Sequence, residues 1–205
     1  MKKIIYLTLI LLSLTIHAQT KGKFRTDLNA GFMFPSAGGL GMSVDVEPKY
    51  NLASNMNLGL RLSSGAAVQE IDPSSKNTPK EERTTVVTSI IGTYDYYFNR
   101  LNTSTIPYIG AGLGYFSLIN AQAKSGTSLN DFKHLDHENK LGGMLRLGIE
   151  TGKFRFGVDY HLIPKTKIQS INGSTLGNQN NSYFTFHFGL FIGGGKWKKH
   201  NCPLK

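Results

Sequence analysis

The sequence has almost no cysteine. Cys202 is the single one and lies near the C-terminal end. An intramolecular disulfide and a cysteine-based metal site are therefore both excluded. Long apolar runs are also missing beyond the first residues. After Ile16 every apolar stretch is short and broken by Gly, Arg or Asp, so no helix can span a bilayer. Helical periodicity is absent as well. An acidic surplus is lacking too, because the formal net charge is +10. That excess is unevenly spread. Lys2 and Lys3 stand at the start, and Lys196, Lys198, Lys199 and Lys205 crowd the tail. Setting these aside leaves +4 for the body, and no nucleic-acid partner is expected of an exported chain.

What is present begins with an export signal. Lys2 and Lys3 form a positive n-region, Ile4 to Ile16 an apolar h-region, and Ala18 supplies the small residue for cleavage before Gln19. The expected organisation is a signal peptide at 1–18, one domain at 19–193, and a basic periplasmic tail at 194–205. No cysteine lies near the cleavage point to carry a lipid anchor.

The body alternates with a period of two. Phe24, Thr26, Leu28, Ala30, Phe32 and Phe34 share one face, with Arg25, Asp27, Asn29 and Gly31 on the other. Further runs follow at 40–47, 56–63, 84–98, 109–115, 144–150, 154–162 and 184–190. Among them, Leu145, Leu147 and Ile149 oppose Arg146, Gly148 and Glu150. Eight runs of about ten residues suit tilted strands crossing a bilayer. Short connections near 51–54, 99–106 and 151–153 alternate with longer polar ones at 71–83, 118–140 and 163–181, the pattern of periplasmic turns and extracellular loops. The loop at 35–38 is a short exception. Pro48, which cannot donate to a ladder, is read as the point where the second strand leaves the hydrocarbon.

Alternation alone does not say which face is inside. Three features favour a polar interior and an apolar exterior. The polar face is rich in Gly with isolated charges. Aromatics gather near run ends, as at Phe24 and Phe34, Tyr96 and Phe98, Tyr108 and Tyr115, Phe154 and Tyr160, and Tyr183 and Phe191, where interfacial girdles are expected. Closure into a barrel satisfies every backbone group, which lipid demands. The predicted fold is all-β: an eight-stranded antiparallel up-and-down transmembrane β-barrel.

The segment from Pro107 through Tyr-Ile-Gly-Ala-Gly-Leu-Gly to Tyr115 resembles the fifth strand of the porin-like small outer-membrane β-barrels of Gram-negative bacteria. The stretch from Leu145 to Tyr160 is similar to the hairpin that follows in that family, and Glu47 to Leu52 to its first periplasmic turn. The resemblance implies an outer-membrane location, with membrane lipids and the barrel-assembly machinery as partners, and no activity. Family members often stop at a terminal aromatic. Here Phe191 is followed by a Gly-rich, basic stretch instead.

Candidate chemistry sits on the polar face, at Arg25, Asp27, Asp45, Glu47, Arg61, Asp95, Arg146, Glu150, Arg155, Asp159, His161 and His187. An eight-stranded barrel has an interior just wide enough for its side chains. Charges there must be paired, because burying one alone is costly. A network of Arg–carboxylate pairs plugging the lumen is therefore expected, the alternative being the lining of a narrow path for small or hydrophobic solutes. Asp159 and His161 share a face, but no positioned nucleophile accompanies them. The lipid-facing positions offer no ionisable set for chemistry on lipid A. His134, His137 and Glu138 near Asp131 could collect a cation, but are read as a solvated loop. Gly110, Gly112 and Gly114 alternate along a strand, so they relieve crowding rather than bind phosphate. No catalytic residue, metal or cofactor is predicted, and the sequence names no loop partner.

Overall fold

The computed structural model describes residues 21–36, 38–71, 81–98, 105–123, 135–169 and 175–194. The expected signal peptide lies outside the described residues, as does the tail beyond Gly194. Eight strands close into an antiparallel barrel: β1 (Phe24–Pro35), β2 (Leu40–Ala53), β3 (Met56–Ile71), β4 (Glu81–Tyr97), β5 (Thr105–Ala123), β6 (Leu135–Thr151), β7 (Phe154–Leu162) and β10 (Tyr183–Gly193). Every neighbour in the barrel is a neighbour in sequence, except that β10 closes the seam between β7 and β1. The stretch expected as a plain loop at 163–181 carries a small hairpin, β8 (Thr166–Gln169) and β9 (Thr175–Gln179).

The pairings set the stagger. A hydrogen-bonded row followed once around the barrel from Met56 returns to β3 at Ala66, ten residues nearer the extracellular end. Eight strands with that offset tilt by roughly 35–45° and leave an interior that side chains can fill.

The barrel is inside-out relative to a soluble one. On β6, Leu145, Leu147 and Ile149 are 54%, 60% and 42% exposed, while Arg146 and Glu150 are 4% and 0% exposed. The same phase holds on β1, where Phe24, Leu28, Phe32 and Phe34 face out and Arg25, Asp27 and Asn29 face in. An exposed apolar belt around a charged interior is the arrangement of a barrel in hydrocarbon.

Three expectations are corrected. Tyr108, Tyr183 and Phe191 do not join an interfacial girdle; all three are buried in the lumen. Their position in the alternation decides this, since Tyr108 is in phase with Gly110 and Tyr183 and Phe191 are out of phase with Phe184 to Leu190. Residue type yields to the pleat. Phe24, Tyr115 and Phe154 do lie outside. Second, β2 does not stop with the run read at 40–47 but continues through Pro48 to Ala53. Pro48 pairs with Thr26 of β1, while the pairing to β3 passes from Val46 to Lys49. The strand tolerates the lost donor where its ladder to β3 skips Glu47 and Pro48. Third, the long extracellular connections are shorter than expected, because β3 to β6 continue as paired strands. β3 and β4 pair as far as Ile71 and Glu81, and β5 and β6 as far as Ala121 and Leu135. These four strands have 16, 17, 19 and 17 residues, against 9 for β7 and 11 for β10. One wall of the barrel therefore stands taller.

Leu147→Arg places a charge on the exposed belt and should destabilise the refolded barrel by about 2–4 kcal/mol. Ser36→Arg, in the exposed turn after β1, should leave stability nearly unchanged. Urea unfolding in lipid bilayers, followed by heat-dependent gel mobility, measures both; equal tolerance would contradict the assigned facing.

Candidate functional site

The lumen is filled by two stacked layers. The half nearer the chain termini and short turns holds charges: Arg25, Lys49, Arg61, Arg146 and Arg155 against Asp27, Asp45, Glu47, Asp95, Glu150 and Asp159, all buried or nearly so. Five cations thus face six carboxylates, with His187 beside Asp159. The half nearer the extracellular end is mainly apolar, formed by Met33, Val87, Ile91, Phe116, Met144 and Tyr183 among others, with Thr85, Ser89 and Thr185 between them.

The charged layer is cross-linked through shared carboxylates. Arg25 grips Glu150 with both Nη atoms, at 2.5 and 3.0 Å, and donates to Asp27 at 2.8 Å. Its guanidinium lies 4.3 Å from the Phe191 ring centre. Arg155 donates to Glu150 at 2.9 Å, to Asp27 at 3.1 Å and to Asp95 at 3.3 Å, with its guanidinium 3.9 Å from the Tyr108 ring centre. Tyr97 Oη accepts from Arg155 at 3.1 Å and donates to Glu150 at 2.9 Å. Arg146 makes a two-pronged contact with Glu47 at 2.7 and 2.8 Å and reaches Asp95 at 2.5 Å. Paired forks of this kind are the strong form of charge-assisted hydrogen bond. Arg61 bridges Asp45, at 2.7 Å, and Asp159.

Ten of the eleven expected network residues are brought together in this way. His161 is the exception. It lies in the lumen but stacks on Tyr183 at 4.2 Å, with Phe116 edge-on at 5.8 Å, inside the apolar layer. The Asp159–His161 pairing is therefore not formed; Asp159 serves Arg61, with His187 Nδ1 at 3.2 Å. Lys49 was missed as a network member. Its Nζ sits 2.7 Å from Asp27 and from Asp95 and 3.3 Å from Glu47. Strict alternation from Asp45 and Glu47 reaches it, but the run read at 40–47 stops short of Lys49. Thr93, which donates to Glu47 at 2.5 Å, and Asn29, which donates to Asp45 at 2.6 Å, complete the set.

Glycines make room for these contacts. Gly110 lies between Asp95 and Arg146 in one hydrogen-bonded row. A Cβ there would stand 2.2 Å from Asp95 Oδ1 and 2.9 Å from Arg146 Nε, so only glycine lets the pair close over it. Tyr108, Gly148, Gly157 and His187 form another row. The Tyr108 ring lies across both glycines, and its Oη comes within 3.4 Å of His187 Nε2. A Cβ on Gly148 or Gly157 would stand about 2.5 or 2.4 Å from that oxygen.

The expected cation-collecting residues lie only partly within the described residues. His137 and Glu138 belong to β6 rather than a loop, while Asp131 and His134 lie outside the described residues. Glu138 pairs with Lys140 at 3.0 Å, and His137 Nε2 lies 2.7 Å from Ser117 Oγ. Among the described residues no group of three or more His, Cys, Asp or Glu could hold a metal. The exterior does carry a hydrogen-bonded Ser–His pair that sequence reasoning overlooked, since Ser117 and His137 project from the outer face. Among the described residues no carboxylate orients His137, so the pair lacks the third group of a hydrolytic set.

No family model matches the chain, and no curated protein sequence matches it. Among solved structures, Neisserial surface protein A superposes with a TM-score of 0.51 at 15% identity, covering 83% of this chain and 95% of that one. The outer membrane protein OprG from Pseudomonas aeruginosa gives 0.49 at 13% identity, covering 86% and 99%, and a major outer membrane protein from Thermus thermophilus gives 0.46 at 16%, covering 83% and 99%. The likeness to the Neisserial protein is one of fold. It matches the expected small outer-membrane barrel.

Arg146→Ala should destabilise the barrel by about 3–5 kcal/mol, because Glu47 and Asp95 lose a buried partner. Lys140→Ala, at the rim, should cost less than about 1 kcal/mol. Gly110→Ala should cost about 1–3 kcal/mol by overpacking. Gly92→Ala, whose nearest contact would be Leu113 O at 3.7 Å, should be neutral. Urea midpoints of the refolded variants decide each.

Proposed function

We propose that this protein is a non-enzymatic outer-membrane β-barrel with a filled, non-conducting lumen, serving a structural or interaction role through its extracellular end. The observation that carries this reading is the double closure of the interior. A charged layer interlocked by Arg146, Glu47, Asp95 and Arg155 occupies the half nearer the short turns, and an apolar layer around Phe116 and Tyr183 lies above it. An ion crossing the barrel would have to break several buried pairs and then shed its water among apolar side chains.

Outer-membrane lipids and the barrel-assembly machinery are the partners this reading requires. The tall wall of β3 to β6 and the connections joining the strands at that end give the protein its outward surface. No catalytic role is assigned. His161 is stacked on Tyr183, Asp159 is held by Arg61, and among the described residues no acid orients the Ser117–His137 pair.

Single-channel recording of the refolded protein in planar bilayers tests this. The expected result is no steady conductance. A stable open level that passes sugars or amino acids would overturn the filled-lumen reading and favour a narrow channel for small or hydrophobic solutes.

A further inference from the structure

The two ends of the barrel differ in charge. Of the 13 Asp and Glu residues, six are buried in the lumen, and the other seven lie at 70–82 and 131–138, on the side of the long connections. The opposite end, where β1 starts and β10 stops, has none. It does carry Lys21 and Lys23 before β1 and Lys153 in the turn from β6 to β7, all three exposed. Arg100 falls in the connection from β4 to β5, and Lys196, Lys198 and Lys199 follow β10. Cations gathered without a carboxylate repel one another, and a bound anion relieves that repulsion.

The lysines meet in one sector, because β7, β10, β1 and β2 are consecutive around the barrel. On one side of β10, Lys153 O accepts from Phe191 N at 3.0 Å. On the other, Gly194 N donates to Phe24 O at 2.9 Å, and the Asn51 side chain of β2 donates to Gly194 O at 2.9 Å. Asn51 also ties down the segment before β1: Gly22 N donates to Asn51 O at 2.9 Å, and Asn51 N to Lys23 O at 3.0 Å. Gly194, from which the tail leaves, is thus pinned between Lys153 and the Lys21–Lys23 segment. Lys196, Lys198 and Lys199 come two to five residues later, so chain length alone keeps them within about 18 Å of Gly194. Rings flank the same sector. Phe24 and Phe154 are 74% and 61% exposed, and the Phe24 ring centre lies 5.0 Å from that of Tyr50. Trp197 stands between two of the tail lysines. Exposed rings beside ammonium groups suit a membrane–water boundary, where rings sit at headgroup level and lysines reach the phosphates.

We propose that this sector docks anionic glycerophospholipid of the inner leaflet, with phosphatidylglycerol as the fitting headgroup. Its phosphodiester accepts from Lys21, Lys23, Lys153 and the tail lysines, and its acyl chains lie against Phe24, Tyr50 and Phe154. Phosphatidylethanolamine fits poorly, because its ammonium has the sign of the site and finds no carboxylate at this end. The flanking rings favour a lipid over a cell-wall polymer or an acidic protein, neither of which needs an apolar flank.

The inference rests on the barrel's lying in the membrane with its short turns toward the periplasm. It is independent of whether the lumen conducts, and lipid retention and conductance are separate readouts. Native mass spectrometry of the refolded, detergent-solubilised protein tests it, with phosphatidylglycerol and phosphatidylethanolamine present together at equal concentration. Phosphatidylglycerol should be retained in preference. Lys21→Gln, Lys23→Gln and Lys153→Gln together should lower that preference about tenfold, since each basic residue beside an anionic surface contributes up to roughly fivefold. Lys140→Gln with Lys165→Gln, at the opposite end, should leave it unchanged. Heat-dependent gel mobility confirms that each variant is folded. Trp197 is the single tryptophan, so its emission reports on the tail alone. In vesicles of mixed phosphatidylglycerol and phosphatidylcholine it should lie at shorter wavelength than in phosphatidylcholine alone. That shift should vanish in 1 M salt, where the screening length falls to about 3 Å. Equal retention of the two lipids, an unchanged preference in the triple variant, or equal loss in the Lys140, Lys165 variant would overturn the proposal. So would Trp197 emission indifferent to phosphatidylglycerol, or sedimentation with purified peptidoglycan in the absence of any lipid preference.

Discussion

The charge pairing inside the lumen is the constraint on which the rest depends. Removing several ions from water costs more than any single contact returns. The barrel meets this by giving carboxylates several donors and cations several acceptors. Asp95 is contacted by Lys49, Arg146 and Arg155, and Asp27 by Arg25, Lys49 and Arg155. These partners come from β1, β2, β4, β6 and β7, so the network is complete only when the barrel is closed. The ions therefore specify one closed arrangement.

Register follows from the same constraint. A slip by one residue between β5 and β6 would exchange Arg146 for Leu145 or Leu147 in the lumen and place an arginine in lipid. The glycines sharpen this further. Gly110 must stand between Asp95 and Arg146, and Gly148 and Gly157 must lie beneath Tyr108, since a Cβ at any of the three would occupy space already taken by a functional atom. Glycine weakens a strand through its conformational freedom. Here that weakness is accepted because the charged and aromatic side chains need the room.

The exterior obeys a different rule. Most of it carries large apolar side chains with nothing to satisfy. The wall of β3 to β6 differs in height, its strands extending beyond those of β7 and β10, and one outward row carries hydroxyls at Ser64, Thr88 and Ser117 between apolar rows.

Alternation determined most of the fold from the sequence. Eight runs, their facing, the polar interior and most of its ionic residues were legible, because a strand's side chains change face at every residue and the bilayer demands one apolar face. The errors came where residue type was allowed to override the pleat. Tyr108, Tyr183 and Phe191 lie inside although aromatics favour membrane interfaces, and Lys49 stands two residues past the run read at 40–47. What only the tertiary structure decided was partnership across strands. That Arg146 meets Glu47 and Asp95, that His161 stacks on Tyr183 instead of serving Asp159, and that Ser117 and His137 meet on the outer wall all depend on stagger. Stagger is a property of the closed barrel, set by all eight pairings together, and no single strand's sequence encodes it.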